Sequence, residues 1–179
     1  EPRPGAMWAW DDLGYTSGAL FGALNYAENR LLVTIRPNGT PGAPTSITVA
    51  PHAQDRPLVN RSVTGAAGSD AFVWPEQRPG ENALTIAGAL PIGSRPVSLF
   101  VSAGNPTRWF AGVFRRELMR AGIDVTGPAE DIDDALPKPD SSAARILYTH
   151  RSRPLSEIAQ PLLKESINLR SEEHTSELQ

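Results

Sequence analysis

Apolar and polar positions change rhythm twice along this chain. From Ala19 to Ser102 the apolar residues come in short runs broken by turn residues, which predicts many short strands. Ala19–Tyr26 and Leu31–Arg36 are two apolar runs joined by Ala27-Glu28-Asn29-Arg30, a hairpin pattern. Pro37-Asn38-Gly39-Thr40-Pro41-Gly42 is turn chemistry: Asn-Gly supplies a positive φ and proline fixes its own. Ser46–Val49 is a β-branched strand ended by Pro51. Val59–Val63 and Ala71–Trp74 are further strands, Pro79–Asn82 is a turn, and Ala83–Ala89 alternates as a strand does. In Pro96–Ser102, Val97, Leu99 and Val101 share one face. The Trp8–Tyr15 stretch, W-A-W-D-D-L-G-Y, mixes aromatic and acidic residues without a period and reads as a loop or strand edge.

After Asn105-Pro106-Thr107 the period becomes helical. Phe110, Val113, Phe114, Leu118 and Ala121 form a stripe near 107–121, Arg115, Arg116 and Arg120 face away, and Gly122 is the expected stop. Thr126–Ser142 is rich in Pro, Gly and Asp and reads as a solvated loop. Its acidic run (Glu130, Asp131, Asp133, Asp134) lacks the spacing of a calcium loop. Arg145–Thr149 resembles one more strand. Ser152 is the expected N-cap of a second helix striped by Leu155, Ile158, Leu162 and Leu163, with Pro161 placed to kink or split it. Strands, then a helix, a strand and a helix make an α+β chain with a β-rich first part.

Composition narrows the chemistry. The 179 residues carry 17 basic and 20 acidic groups, a net charge of −3, which argues against an electrostatic nucleic-acid binder. No Cys is present, so disulfides, thiolate zinc sites and cysteine nucleophiles are excluded from this segment. His52, His150 and His174 are scattered, which argues against a His-based metal cage. No apolar run approaches the ~20 residues of a membrane span. Dinucleotide, P-loop, nucleophile-elbow and zincin motifs are all missing. The chain begins at Glu1 without an initiator Met and reads as a piece of something longer. Its last ten residues, Arg170-Ser171-Glu172-Glu173-His174-Thr175-Ser176-Glu177-Leu178-Gln179, match the in-frame translation of a common sequencing-library adapter, AGATCGGAAGAGCACACGTCTGAACTCCAG. They are expected to be an adapter scar, with the native segment ending at Leu169.

One tripeptide, Ser166-Ile167-Asn168, carries a candidate chemistry, although Ser and Asn at a helix end also serve as caps. It stands last in an ordered set: Trp8 to Tyr15, Ala23-Leu24-Asn25 with Glu28-Asn29-Arg30, Phe110-Ala111-Gly112, Ala121-Gly122-Ile123, Pro154 to Ile158, and Leu163 to Leu169. Over residues 5–169 this set resembles the D-alanyl-D-alanine carboxypeptidase/endopeptidase family of class C low-molecular-mass penicillin-binding proteins, peptidase family S13.

The resemblance implies a serine DD-peptidase domain of the penicillin-recognising fold, with β-rich domains inserted between its first and second active-site motifs. Residues 1–140 would be inserted region, and 141–169 the start of the return into the catalytic domain. It also implies an acyl-enzyme route on peptidoglycan stem peptides, trapping by β-lactams, no metal or organic cofactor, no nucleic-acid partner, and a periplasmic or otherwise extracytoplasmic parent protein. Ser166 would be the second-motif serine, relaying a proton between the catalytic Lys and the leaving D-alanine nitrogen. Asn168 would hold the substrate backbone and position that Lys. Trp8 and Asp11 would help line the pocket for the substrate's diaminopimelate side chain. Two departures stand out. Neither Lys138 nor Lys164 has Ser three residues before it, so S-x-x-K is absent, and no K-T-G occurs. The polypeptide as given is therefore expected to be inactive. The alternative is a non-catalytic extracytoplasmic β-rich binding module.

Overall fold

The structure is a computed structural model, and it describes residues 10–20, 22–51, 56–78, 81–137, 142, 145–146 and 148–165; the side chains of 10, 11 and 161–165 are outside the description. Six strands and two helices follow in order. They are β1 (Arg30–Arg36), β2 (Ser46–Ala50), β3 (Leu58–Gly65), β4 (Phe72–Glu76), β5 (Leu84–Pro91), β6 (Val97–Ser102), α1 (Pro106–Arg120) and α2 (Leu155–Glu165). The β-rich first part and the α+β class are as the sequence reads.

The strands form two three-stranded sheets, ordered β2-β1-β6 and β3-β5-β4. The first is antiparallel throughout, with Val33 opposite Val49 on one side and Leu99 on the other. In the second, β3 runs parallel to β5 while β4 runs antiparallel to it. A bridge between Pro44 and Val63 ties the loop before β2 to β3.

Strand β1 buries Leu31, Val33 and Ile35 on one face, the period-two pattern of a half-buried strand. They meet Leu84, Ile86 and Leu90 of β5, Val101 of β6, and Trp109 and Val113 of α1 in one cluster. The core therefore lies between the two sheets, closed by the first half of α1.

Helix α1 has legible ends. Asn105 caps it by accepting the Arg108 amide at 3.0 Å, and Pro106 occupies the first turn, where a missing N–H costs nothing. At the far end Ile123 N–H donates to Leu118 O and Gly122 N–H to Met119 O, with Gly122 at φ 82°. This is the Schellman arrangement expected of a glycine stop.

Several expectations are corrected. Ala19–Tyr26 does not pair with Leu31–Arg36 as a hairpin. Ala27, Glu28 and Asn29 are all left-handed (φ 50°, 54° and 51°), and they turn the chain so that β1 pairs with β2 and β6 instead. The left-handed residue after Pro37 is Gly42, not Gly39, because Asn38 is held by its own bonds to Thr64 Oγ1 and Pro44 O. The buried face of α1 is Pro106, Trp109, Gly112 and Val113, while Phe114 is 55% exposed. The face is rotated because β1 and β5 meet the helix at Trp109. Of Trp8–Tyr15, read as a loop or strand edge, the described part forms a 3₁₀ turn over Trp10–Gly14, and Tyr15 bridges to Val101 of β6 as a strand edge does.

Asp131 is not solvated. It is buried and accepts from Asn105 Nδ2 at 2.9 Å, tying the loop to the start of α1. Among the described residues of 145–149 there is no strand, and Ile146 and Tyr148 stand exposed. Helix α2 is capped by the Pro154 carbonyl, which accepts from Glu157 and Ile158, rather than by Ser152. It runs unbroken through Pro161. Of the expected turn Pro79–Asn82, Pro79 and Gly80 lie outside the described residues.

Candidate functional site

The four candidate site residues fall unevenly on the structure. Trp8, Ser166 and Asn168 lie outside the described residues, and Asp11 is described by its backbone alone, inside the 3₁₀ turn Trp10–Gly14. The side chains of all four therefore lie outside the described residues. What it does establish is the footing on each side.

On the N-terminal side the footing is tight. A second 3₁₀ turn, Thr16–Gly18, follows at once, and Tyr15 N–H donates back to Asp12 O at 2.9 Å. Gly14 lies so close to β4 that a Cβ there would sit 2.9 Å from the Pro75 carbonyl oxygen. The Asp11 backbone is thus held between β4 and β6. On the C-terminal side α2 is described through Glu165, the residue before Ser166.

Two polar residues outside the four site candidates brace this framework: Asn29, part of the ordered motif set, and Arg56, which the sequence did not single out. Asn29 is fully buried. Its Nδ2 donates to Leu20 O at 2.8 Å and Gly104 O at 2.9 Å, and its own carbonyl accepts the Ala103 amide. It thereby pins the left-handed turn to the end of β6. Its Oδ1 is buried without a hydrogen-bond partner among the described residues.

Arg56 is buried against neutral acceptors. Its guanidinium donates to Asn82 O at 3.1 Å, to Ser102 O, and to Gln77 Oε1 at 2.5 Å. Burial lowers its pKa to about 10, since desolvation disfavours the charged form. These bonds join the end of β6 to the segments after β4 and before β5, so Arg56 couples the two sheets. Nothing in the polar run preceding it marks an interior position; only the topology does.

Among the described residues no three His, Cys, Asp or Glu side chains cluster as a metal site would require, and no helix is long and apolar enough to cross a membrane.

Comparison with known proteins gives the site its context. The profile of the D-Ala-D-Ala carboxypeptidase 3 (S13) family matches residues 1–179. A D-alanyl-D-alanine carboxypeptidase of Actinomadura sp. (strain R39) is 29% identical over 174 residues, covering 90% of this chain and 30% of its own length. Penicillin binding protein 4 of Haemophilus influenzae superposes with a TM-score of 0.74 at 21% identity, over 95% of this chain and 36% of that one. The same protein complexed with a β-lactam superposes with a TM-score of 0.63 at 21% identity, over 83% of this chain and 33% of that one. The chain thus spans about a third of the length of the relatives it matches.

Proposed function

Because the chain belongs to the D-Ala-D-Ala carboxypeptidase 3 (S13) family, we propose that it is the middle part of a serine-type D-alanyl-D-alanine carboxypeptidase/endopeptidase acting on peptidoglycan stem peptides. The observation that carries this reading is the family match along residues 1–179. The ordered motif set ending in Ser166-Ile167-Asn168 supports it. Residues 1–140 belong to the β-rich inserted region, and 141–169 begin the return to the catalytic domain. The parent protein works outside the cytoplasmic membrane.

The chemistry assigns each residue type a task. A serine hydroxyl becomes nucleophilic only when a base removes its proton, and a Lys with a depressed pKa does this. That serine and Lys belong to S-x-x-K, which this chain does not contain. The nucleophile attacks the carbonyl between the two D-alanines. The C–N bond breaks, the amine leaves with a proton, and water then hydrolyses the ester. Ser166 passes the proton toward the leaving nitrogen, Asn168 donates to the substrate backbone, and Asp11 with Trp8 faces the substrate's amine-bearing side chain. Without S-x-x-K and K-T-G, the 179-residue chain has no activity of its own.

The test is covalent labelling of the longest parent reading frame with a fluorescent penicillin. The parent should label, and Ser166→Ala should slow acylation by about 10²–10⁴-fold, the scale of a lost general acid–base group. The 179-residue chain should not label. A parent carrying both missing motifs that fails to label, or a Ser166→Ala parent that labels at the wild-type rate, would overturn the assignment.

A further inference from the structure

The outer face of α1 and the loop after it enclose a cleft of about 910 Å³ whose charged lining is cationic: Arg108, Arg115, Arg116 and Arg120. Among the described residues no carboxylate lines it, although the chain as a whole is acidic at −3. The four arginines are not equivalent. Arg115 is committed to the fold, donating to Gly127 O at 2.7 Å and Val125 O at 3.1 Å, so it fixes the loop as the far wall. Arg120 is shared with Glu117 at 3.3 Å. Arg108 and Arg116 have no side-chain partner among the described residues.

Those two lie eight residues apart on one helix, about 12 Å along the axis at 1.5 Å per residue. Both are only half exposed. A guanidinium held near apolar surface with no counter-charge prefers a forked bond to a carboxylate or phosphate. The remaining wall is Gly112, Met119, Thr126, Pro128 and Ala129, with Thr126 its one polar side chain and Met119, Pro128 and Ala129 its apolar surface. A phosphate polymer has no use for that wall, whereas methyl groups between two carboxylates pack on it.

We propose that this cleft is a binding site for an extended acidic peptide. Carboxylates about four residues apart engage Arg108 and Arg116, while the small side chains between them rest on Met119, Pro128 and Ala129. None of its residues is one assigned to the serine chemistry.

The probe is a fluorescent pentapeptide, Glu-Ala-Ala-Ala-Glu, whose outer residues lie about 13 Å apart when extended. Fluorescence anisotropy with the 179-residue chain should show saturable binding that weakens as salt rises. Replacing both glutamates of the peptide by glutamine should weaken binding by about tenfold or more, and so should the double variant Arg108→Gln with Arg116→Gln in the protein. Circular dichroism and the melting temperature of that variant should match the unsubstituted 179-residue chain, since neither side chain has a bonding partner among the described residues. Arg61→Gln, an exposed arginine on β3, should bind as the parent does. The inference fails if the peptide does not bind, if the glutamine peptide binds equally, or if the double variant binds unchanged. It fails also if inorganic polyphosphate binds and the peptide does not.

Discussion

Gly88 sits inside β5 at φ 111°, a conformation that L side chains rarely adopt, and a Cβ there would run into the Phe72 carbonyl oxygen of the neighbouring strand. Both faults fall on the central strand of the second sheet. Gly88→Ala should therefore lower stability by about 2–4 kcal/mol, read as a reduced urea midpoint at unchanged slope. Arg56 poses a different question, because its burial costs free energy that its bonds must offset. Removing it by Arg56→Ala leaves Ser102 O, Asn82 O and Gln77 Oε1 without that donor, and should cost about 2–3 kcal/mol at pH 7. Arg56→Met, which keeps the volume, should cost less. The pH dependence has a definite sign. With the folded pKa near 10, below the ordinary arginine value, the unfolded chain binds more protons between those values. This group's contribution to stability therefore rises with pH across that window, and is flat at neutral pH, where both states are charged.

At the scale of elements, legibility followed the physics of each signal. Strands were readable from residues 46 to 102 because alternation acts locally, and the ends of α1 were readable because Asn105, Pro106 and Gly122 act locally as well. The buried face of α1 was not, because Phe110, Val113, Phe114 and Leu118 form as good a stripe as the one used. Which stripe is buried depends on where Trp109 meets the sheets. Trp109 is 2% exposed and donates its Nε1 to Tyr26 O at 3.2 Å. Trp109→Ala should cost about 3–5 kcal/mol by urea titration, whereas Phe114→Ala should cost under about 1 kcal/mol; equal effects would restore the stripe read from sequence. The Ala19–Tyr26 hairpin failed because three consecutive left-handed residues, none of them glycine, are held by distant partners such as Gly104. Of the candidate site, the Ser-x-Asn spacing was legible as a pattern. Arg56 and the paired orientation of Arg108 and Arg116 were not, since a polar loop and an arginine-bearing helix face look solvated until the chain is folded around them.

Over the whole molecule, the two sheets do not have separate cores. Val33 and Ile35 from one sheet, Ile86 and Leu90 from the other, and Trp109 from α1 belong to the same buried cluster, with Arg56 bonded across its rim. Residues 30–120 should consequently lose tertiary and secondary structure together. Near-ultraviolet and far-ultraviolet circular dichroism should give coincident urea transitions, and two separated transitions would show that the sheets unfold independently.

The strand order β3-β5-β4 has a consequence for how the chain is made. Strands β3 and β4 emerge from the ribosome first, yet neither hydrogen-bonds to the other as a ladder; both wait for β5. Until Pro91 has been synthesised, the second sheet has two edges and no middle, and the partners of Ile86 and Leu90 on β1 have nothing to cover them. The growing chain must keep these strands apart from one another and from other nascent chains for some thirty residues of elongation, counted from Leu58 to Pro91. The last-arriving strand of the second sheet, and not a local turn, decides when that sheet can close.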